Sequence, residues 1–202
     1  MIGLSGGIGA GKSVVARLCE EFGAAVIDSD KLAHDELRQP DVVGTLRQWW
    51  GNGICRTDGS VDHKRVAAIV FEDGSQLARL EGLLYPRLAA RRDVMLDRLD
   101  ADPAVRAVVI DAPKLYEAGV DRLCDVVVFV DAHRADRVRR VAQSRRWSED
   151  ELARREKVQI ALDIKRKNAD YVVTNHAGIE ELRPQVERVF SKILASFSER
   201  SA

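Results

Sequence analysis

Cysteine and aromatic residues are both scarce in this chain of 202 residues: three cysteines, and 5% Phe, Trp and Tyr. Cys19, Cys55 and Cys124 are far apart and odd in number, with no histidine at ligand spacing. A disulfide framework and a zinc site are therefore not expected, and a reducing, cytoplasmic setting fits. Net charge is missing too, since 32 Lys and Arg are balanced by 32 Asp and Glu. That argues against a dedicated nucleic-acid binder while leaving room for local basic patches. No apolar run approaches bilayer length, and no basic stretch precedes an apolar one near the first residue, so neither a membrane span nor a secretion signal is expected. No internal repeat or low-complexity segment is present. What remains is enough chain, 46% hydrophobic, to bury a core without staples in one α/β domain carrying an insertion.

The strongest positive signal is Gly6-Gly7-Ile8-Gly9-Ala10-Gly11-Lys12-Ser13, a complete G-x-x-x-x-G-K-[ST] loop. Met1-Ile2-Gly3-Leu4 before it suits a buried strand, and residues 12–22 after it read as a helix. A strand, a glycine loop and a helix N-terminus together bring backbone N–H groups onto a phosphate. Gly9, Ala10, Gly11, Lys12, Ser13 and Val14 are thus the expected nucleotide-binding residues, with Lys12 reaching the β- and γ-phosphates and Ser13 ligating Mg²⁺.

Continuous apolar runs at 24–27, 107–110 and 126–130, with a weaker one at 171–174, read as parallel strands covered on both faces. Helical patterns at 134–143, 148–166 and 179–197 alternate with them, which predicts an α/β fold with a doubly wound parallel sheet. Ligands of such sheets bind at the carboxyl ends of the strands. Those ends here carry Asp28, followed by Asp30, and Asp111. Between 34 and 104 the pattern becomes helical, with amphipathic stretches at 61–71 and 76–99, and reads as an inserted helical substrate domain between core segments 1–33 and 105–202. Residues 134–167 are rich in arginine, and Ser148-Glu149-Asp150-Glu151 is a capping box that starts a new helix. This stretch reads as a helical lid over 139–160, most of its arginines lying on a solvated face. The tail after Phe197 is expected to fray.

No Asn-Lys-x-Asp motif for guanine is found, and a motor ATPase needs more chain, so a small-molecule kinase fits best. Phosphoryl transfer to a hydroxyl needs positioning, charge neutralisation and a proton acceptor. Asp111, ending an apolar strand, is placed to hold the metal. Asp30, just past the second strand, is placed to take the proton; helix capping is the competing role for Asp28 and Asp30.

Four blocks taken in order carry a closer resemblance: Gly6–Ser13, Val26-Ile27-Asp28-Ser29-Asp30, Asp111-Ala112-Pro113-Lys114-Leu115-Tyr116-Glu117, and Ala169-Asp170-Tyr171-Val172-Val173-Thr174-Asn175. With Asp58-Gly59-Ser60-Val61 and Val70-Phe71 between them, the chain resembles the dephospho-coenzyme A kinase family over nearly its full length. The resemblance implies ATP-dependent phosphorylation of the ribose 3′-hydroxyl of dephospho-coenzyme A, and a build of nucleotide core, helical substrate domain and lid. It puts the base on Asp30, a transition-state-neutralising arginine on Arg140, and the adenine beside Asn175. It departs from the family pattern at Lys114 (usually apolar), Tyr85 (usually His), His63 (frequently Arg) and around Ser144-Arg145 (usually an Arg-Asp pair). Another small-molecule kinase, for a nucleoside monophosphate or a sugar acid, and an ATP-binding regulator that transfers nothing stay open. A monomer or weak homo-oligomer is expected.

Overall fold

In the computed structural model, which describes residues 1–199, five parallel strands form one sheet of order β2-β3-β1-β4-β5. They are β1 (Ile2–Gly6), β2 (Ala24–Asp28), β3 (Ala107–Asp111), β4 (Val126–Asp131) and β5 (Tyr171–Thr174). Each was legible as an apolar run, because a strand buried on both faces has no polar face to show. β1 lies at the centre, with Leu4 opposite both Asp111 of β3 and Val128 of β4. The chain therefore leaves the sheet at Gly6 at the point where strand order reverses, which is where open α/β sheets bind ligands.

Two helices cover one face. Val15, Leu18 and Cys19 of α1 (Lys12–Glu21) pack with Leu182, Val186, Phe190 and Ile193 of α9 (Ile179–Ser198) against Ile2, Leu4, Val109, Val128 and Val173. The stripe on α9 recurs every three or four residues, as an amphipathic helix requires. The opposite face buries Ile110, Leu115, Val120 and Val127. α9 continues to Ser198, and residues 200–202 of the tail expected to fray lie outside the described residues.

The chain divides into two compact units, Met1–Asp28 with the segment from Leu96 onward, and Ser29–Met95. The divisions fall at Ser29 and Leu96, where the sequence reading drew them at 34 and 104, so Asp30 goes with the helical unit. That unit comprises α2 (Ser29–Glu36), α3 (Pro40–Trp50), α4 (His63–Glu72) and most of α5 (Gly74–Asp100). Val42 and Leu46 of α3, Val66 and Val70 of α4, and Leu80 and Leu84 of α5 form its own core. Pro40 opens α3, where its missing N–H costs nothing, and the Asp62 side chain caps α4 by accepting from the Lys64 N–H.

The remaining helices are α6 (Arg134–Arg145), α7 (Glu149–Glu156) and α8 (Leu162–Lys167). Ser148 caps α7 by accepting from the Glu151 N–H at 3.2 Å, as its capping box predicts. The single helix expected over 148–166 is broken between α7 and α8. The cause is tertiary: the Ile160 N–H, which a continuing helix would direct to Glu156, instead donates to the Glu117 carboxylate at 2.8 Å.

Candidate active site

The geometry of the glycine loop is set by what holds its carbonyls. Lys12 Nζ donates to the carbonyls of Gly6 (3.2 Å) and Gly7 (3.3 Å). Arg137 Nη1 donates to Ile8 (3.3 Å), and Arg140 Nη1 to Gly9 (3.4 Å) and Ala10 (3.2 Å). Asn175 Nδ2 adds a second bond to Ala10, at 2.8 Å. Five consecutive carbonyls are thereby tied to cationic or amide donors. In a planar trans peptide the N–H points away from the carbonyl, so fixing these oxygens fixes the amides of residues 7–11 as well. Gly11 has a φ of 98°, and a Cβ there would stand 2.3 Å from Asn175 Nδ2. The motif's last glycine is therefore required both by its backbone and by the asparagine packed on it.

Ser13, in the first turn of α1, donates its hydroxyl hydrogen to Asp111 Oδ2 at 2.9 Å. The structure thus brings together the two residues expected to bind a metal. Asp111 is 7% exposed at the end of β3. Burial pushes its carboxyl up from the usual carboxylate value, Lys12 and the Ser13 hydrogen bond oppose the rise, and Asp28, opposite it in the sheet, adds to it. Hydroxyl and carboxylate oxygens form a hard donor set suited to Mg²⁺, which takes few protein ligands and completes its shell with water and phosphate. Among the described residues no group of three or more His, Cys, Asp or Glu is placed to hold a metal.

Arg140 and Asn175 also come together: Arg140 Nη2 donates to the Asn175 carbonyl (2.8 Å) and Oδ1 (3.2 Å). Both belong to the support of the loop. Asp30 stands exposed in the first turn of α2, two residues beyond the end of β2.

Sequence reasoning missed Arg137 and Glu156. Arg137, one arginine among many on α6, is 4% exposed and pairs with Glu156 at the end of α7 while its other contact holds Ile8. Its guanidinium lies 2.9 Å from where a Gly7 Cβ would be. Ile8 itself packs with Val141 and Leu152, so the tip of the loop shares a small core with α6 and α7. Most other arginines of this segment are spent locally: Arg134 on Glu149 and Glu156, Arg139 on Asp136, and Arg154 and Arg155 on Glu151, with Arg155 also 4.0 Å over the Trp147 ring. A second unforeseen pair is Lys165, 1% exposed, with Glu117 at 2.8 Å; Lys165 also donates to Gln159.

A central strand feeding a glycine loop, with lysine and serine opening the next helix and an aspartate on the adjacent strand, defines a nucleotide-binding protein of the phosphate-loop kinase class. Comparison with known proteins narrows the class. The chain belongs to the dephospho-CoA kinase family, whose profile matches residues 1–181. A dephospho-CoA kinase of Corynebacterium glutamicum is 36% identical over 196 residues, covering 96% of this chain and 97% of the relative. The crystal structure of TT1252 from Thermus thermophilus superposes with a TM-score of 0.78 at 31% identity, covering 96% of both chains. A dephospho-CoA kinase structure from Campylobacter jejuni, at 21% identity and a TM-score of 0.69 over 96% of this chain and 97% of that one, shares the fold.

Proposed function

We infer that this protein transfers the γ-phosphoryl group of ATP to the ribose 3′-hydroxyl of dephospho-coenzyme A, yielding coenzyme A and ADP, the last step of coenzyme A synthesis. The observation that carries the reading is the family match, which runs through the glycine loop, the helical unit and β5 alike. The alternatives of another small-molecule kinase or a silent ATP-binding regulator are not favoured by it.

The chain's own groups can be assigned to this reaction as proposals. The amides of the loop, oriented through their tethered carbonyls, bind the phosphates, except that of Ala10, which donates to the Gly7 carbonyl at 3.1 Å. Lys12 adds positive charge where negative charge accumulates on the transferring group. Ser13 and Asp111 would hold Mg²⁺, which when bound neutralises charge on the phosphate oxygens. Asp30 takes the proton of the 3′-hydroxyl as its oxygen bonds to phosphorus and the bond to ADP breaks. Arg140 keeps Gly9 and Ala10 in place and carries charge beside the nucleotide, and Asn175 bonds both Arg140 and the Ala10 carbonyl. Among the described residues no helix is long and apolar enough to cross a membrane; a cytoplasmic setting belongs to the same proposal.

The test is multiple turnover of dephospho-coenzyme A with Mg-ATP, followed by mass spectrometry. A 3′-phosphorylated product in excess of enzyme supports the reading. ATP binding without product would support the regulator instead.

A further inference from the structure

β5 is an edge of the sheet, with β4 on one side and, among the described residues, no strand on the other. The backbone of its last residue, Thr174, still finds a partner on that open side. Gln185, in the second turn of α9, accepts at Oε1 from the Thr174 N–H (3.0 Å) and from the Thr174 hydroxyl (2.9 Å). Its Nε2 donates to the Thr174 carbonyl at 3.1 Å. The second Nε2 hydrogen goes to the Glu181 carbonyl, one turn back on α9, at 2.9 Å. Both donors of the amide and both acceptor positions of its oxygen are therefore used. A carboxylate in this place could accept from Thr174 but could not donate to it.

What this holds in place is the next residue. The Thr174 carbonyl and the Asn175 N–H belong to one planar peptide and point in opposite directions. Gln185 holds the oxygen of that peptide, and the Asp131 carbonyl accepts its N–H at 2.8 Å. The peptide is thus fixed from the helix side and from the sheet side together. Asn175, 6% exposed, carries the placement onward: its Nδ2 donates to the Ala10 carbonyl, and its own carbonyl and Oδ1 accept from Arg140. The Ala10 carbonyl and the Gly11 N–H again share one peptide plane, so a shift of the Asn175 side chain turns the Gly11 amide.

We propose that Gln185 is a positioning residue of the phosphate site: by fixing the Thr174–Asn175 peptide it sets Asn175, and through Asn175 the Gly11 amide and Arg140. The proposal rests on the reading of the glycine loop as the site of the ATP phosphates and not on the identity of the acceptor. Preorganised donors bind an anion without first being ordered by it. Releasing the end of β5 on its open side leaves the strand end tied to β4 alone, and the nucleotide must then order Asn175 and the loop as it binds. The loss falls on nucleotide affinity.

The experiment is a double-mutant cycle on the full chain, read as the calorimetric affinity of a non-hydrolysable ATP analogue with Mg²⁺. Gln185→Leu is expected to weaken the analogue about tenfold in the wild-type background, and no more than about threefold in an Asn175→Ala background, where only the backbone link to Arg140 remains. Gln185→Glu, which keeps the acceptor for Thr174 but loses the donor, should fall between wild type and Gln185→Leu. Titrations run below the melting transition of every variant, with binding stoichiometry reporting the folded fraction. A merely structural Gln185 would lower the stoichiometry or the melting temperature and leave Kd alone. That result, or an equal loss of affinity in both backgrounds, overturns the proposal. Wild-type protein that binds no analogue overturns the nucleotide reading and the role of Gln185 together. Wild-type binding without turnover of dephospho-coenzyme A fails the acceptor reading alone, and the cycle still decides Gln185.

Discussion

Asp111 holds a carboxylate where burial and the neighbouring Asp28 disfavour its charge, with only Lys12 and Ser13 acting the other way. Because its folded-state pKa lies above the ordinary carboxylate value of 3.8, the folded protein binds its proton more tightly than the unfolded chain does. Stability from this group is present below that ordinary value and is lost as pH rises through the raised one. Asp111→Asn keeps the size and an acceptor for Ser13 but removes the charge, so it should raise the melting temperature of the ligand-free protein at pH 7, with the gain vanishing in acid. Turnover with Mg-ATP should collapse in the same variant. A melting temperature several degrees below wild type would show that attraction to Lys12 outweighs burial. Asp30 calls for the opposite signature. Asp30→Asn should leave stability and Mg-ATP binding intact while lowering kcat by roughly 10² to 10⁴, toward the lower end if the transition state is loose. Asp28→Asn serves as the paired control and should cost less; normal turnover by a folded Asp30→Asn protein would remove Asp30 as the base. Lys12, Ser13 and Asp111 were legible in the sequence because a fixed spacing or a strand end reports them. Arg137 was not, because an arginine on a charged helix looks solvated until its partner Glu156 arrives across a turn.

At the scale of elements, the five strands and α1, α4, α5 and α9 follow from apolar pattern and caps. The break at 157–161 does not, since that stretch contains neither proline nor glycine. Glu117 makes the break: one carboxylate oxygen accepts from both the Ile160 N–H and Lys165. α2 and α3 were read only as part of a helical region, although Pro40 marked where α3 starts. The Glu117–Lys165 pair joins the segment after β3 to α8 and sits almost wholly out of solvent. Removing one partner leaves a buried charge alone, which typically costs about 3–5 kcal/mol. Glu117→Ala should therefore lower the urea midpoint sharply and free the 157–161 segment to exchange amide hydrogens. Glu117→Leu/Lys165→Met, which removes both charges and fills the space, should regain most of the midpoint. If the single and double variants are equally unstable, the loss comes from the Ile160 tether rather than the stranded lysine.

At the scale of the whole molecule, each of the two units has its own buried residues: the first packs both faces of the sheet, and the second packs within residues 29–95. The groups assigned to the nucleotide, Lys12, Ser13, Asp111, Arg140 and Asn175, all belong to the first unit. A ligand stabilises the unit it binds by mass action, by about 2.7 kcal/mol at a hundredfold excess over Kd, which corresponds to about a hundredfold slowing of exchange through unfolding. With Mg²⁺ and a non-hydrolysable ATP analogue, amides of β1, α1 and β4 should slow by about that factor. So should those of α6 and α7, since Ile8 of the loop, Val141 and Leu152 share one small core. Amides at the centre of α3 and α4, around Leu46 and Val66, should keep their rates if the second unit opens independently. Dephospho-coenzyme A, added without nucleotide, should reverse the pattern and slow the second set. Equal slowing of both sets by the ATP analogue would mean that the two units unfold as one cooperative block, and that separate packing does not bring separate stability. Lys12→Ala should remove the analogue's effect in either case, because the slowing depends on the loop holding phosphate and not on the mere presence of nucleotide.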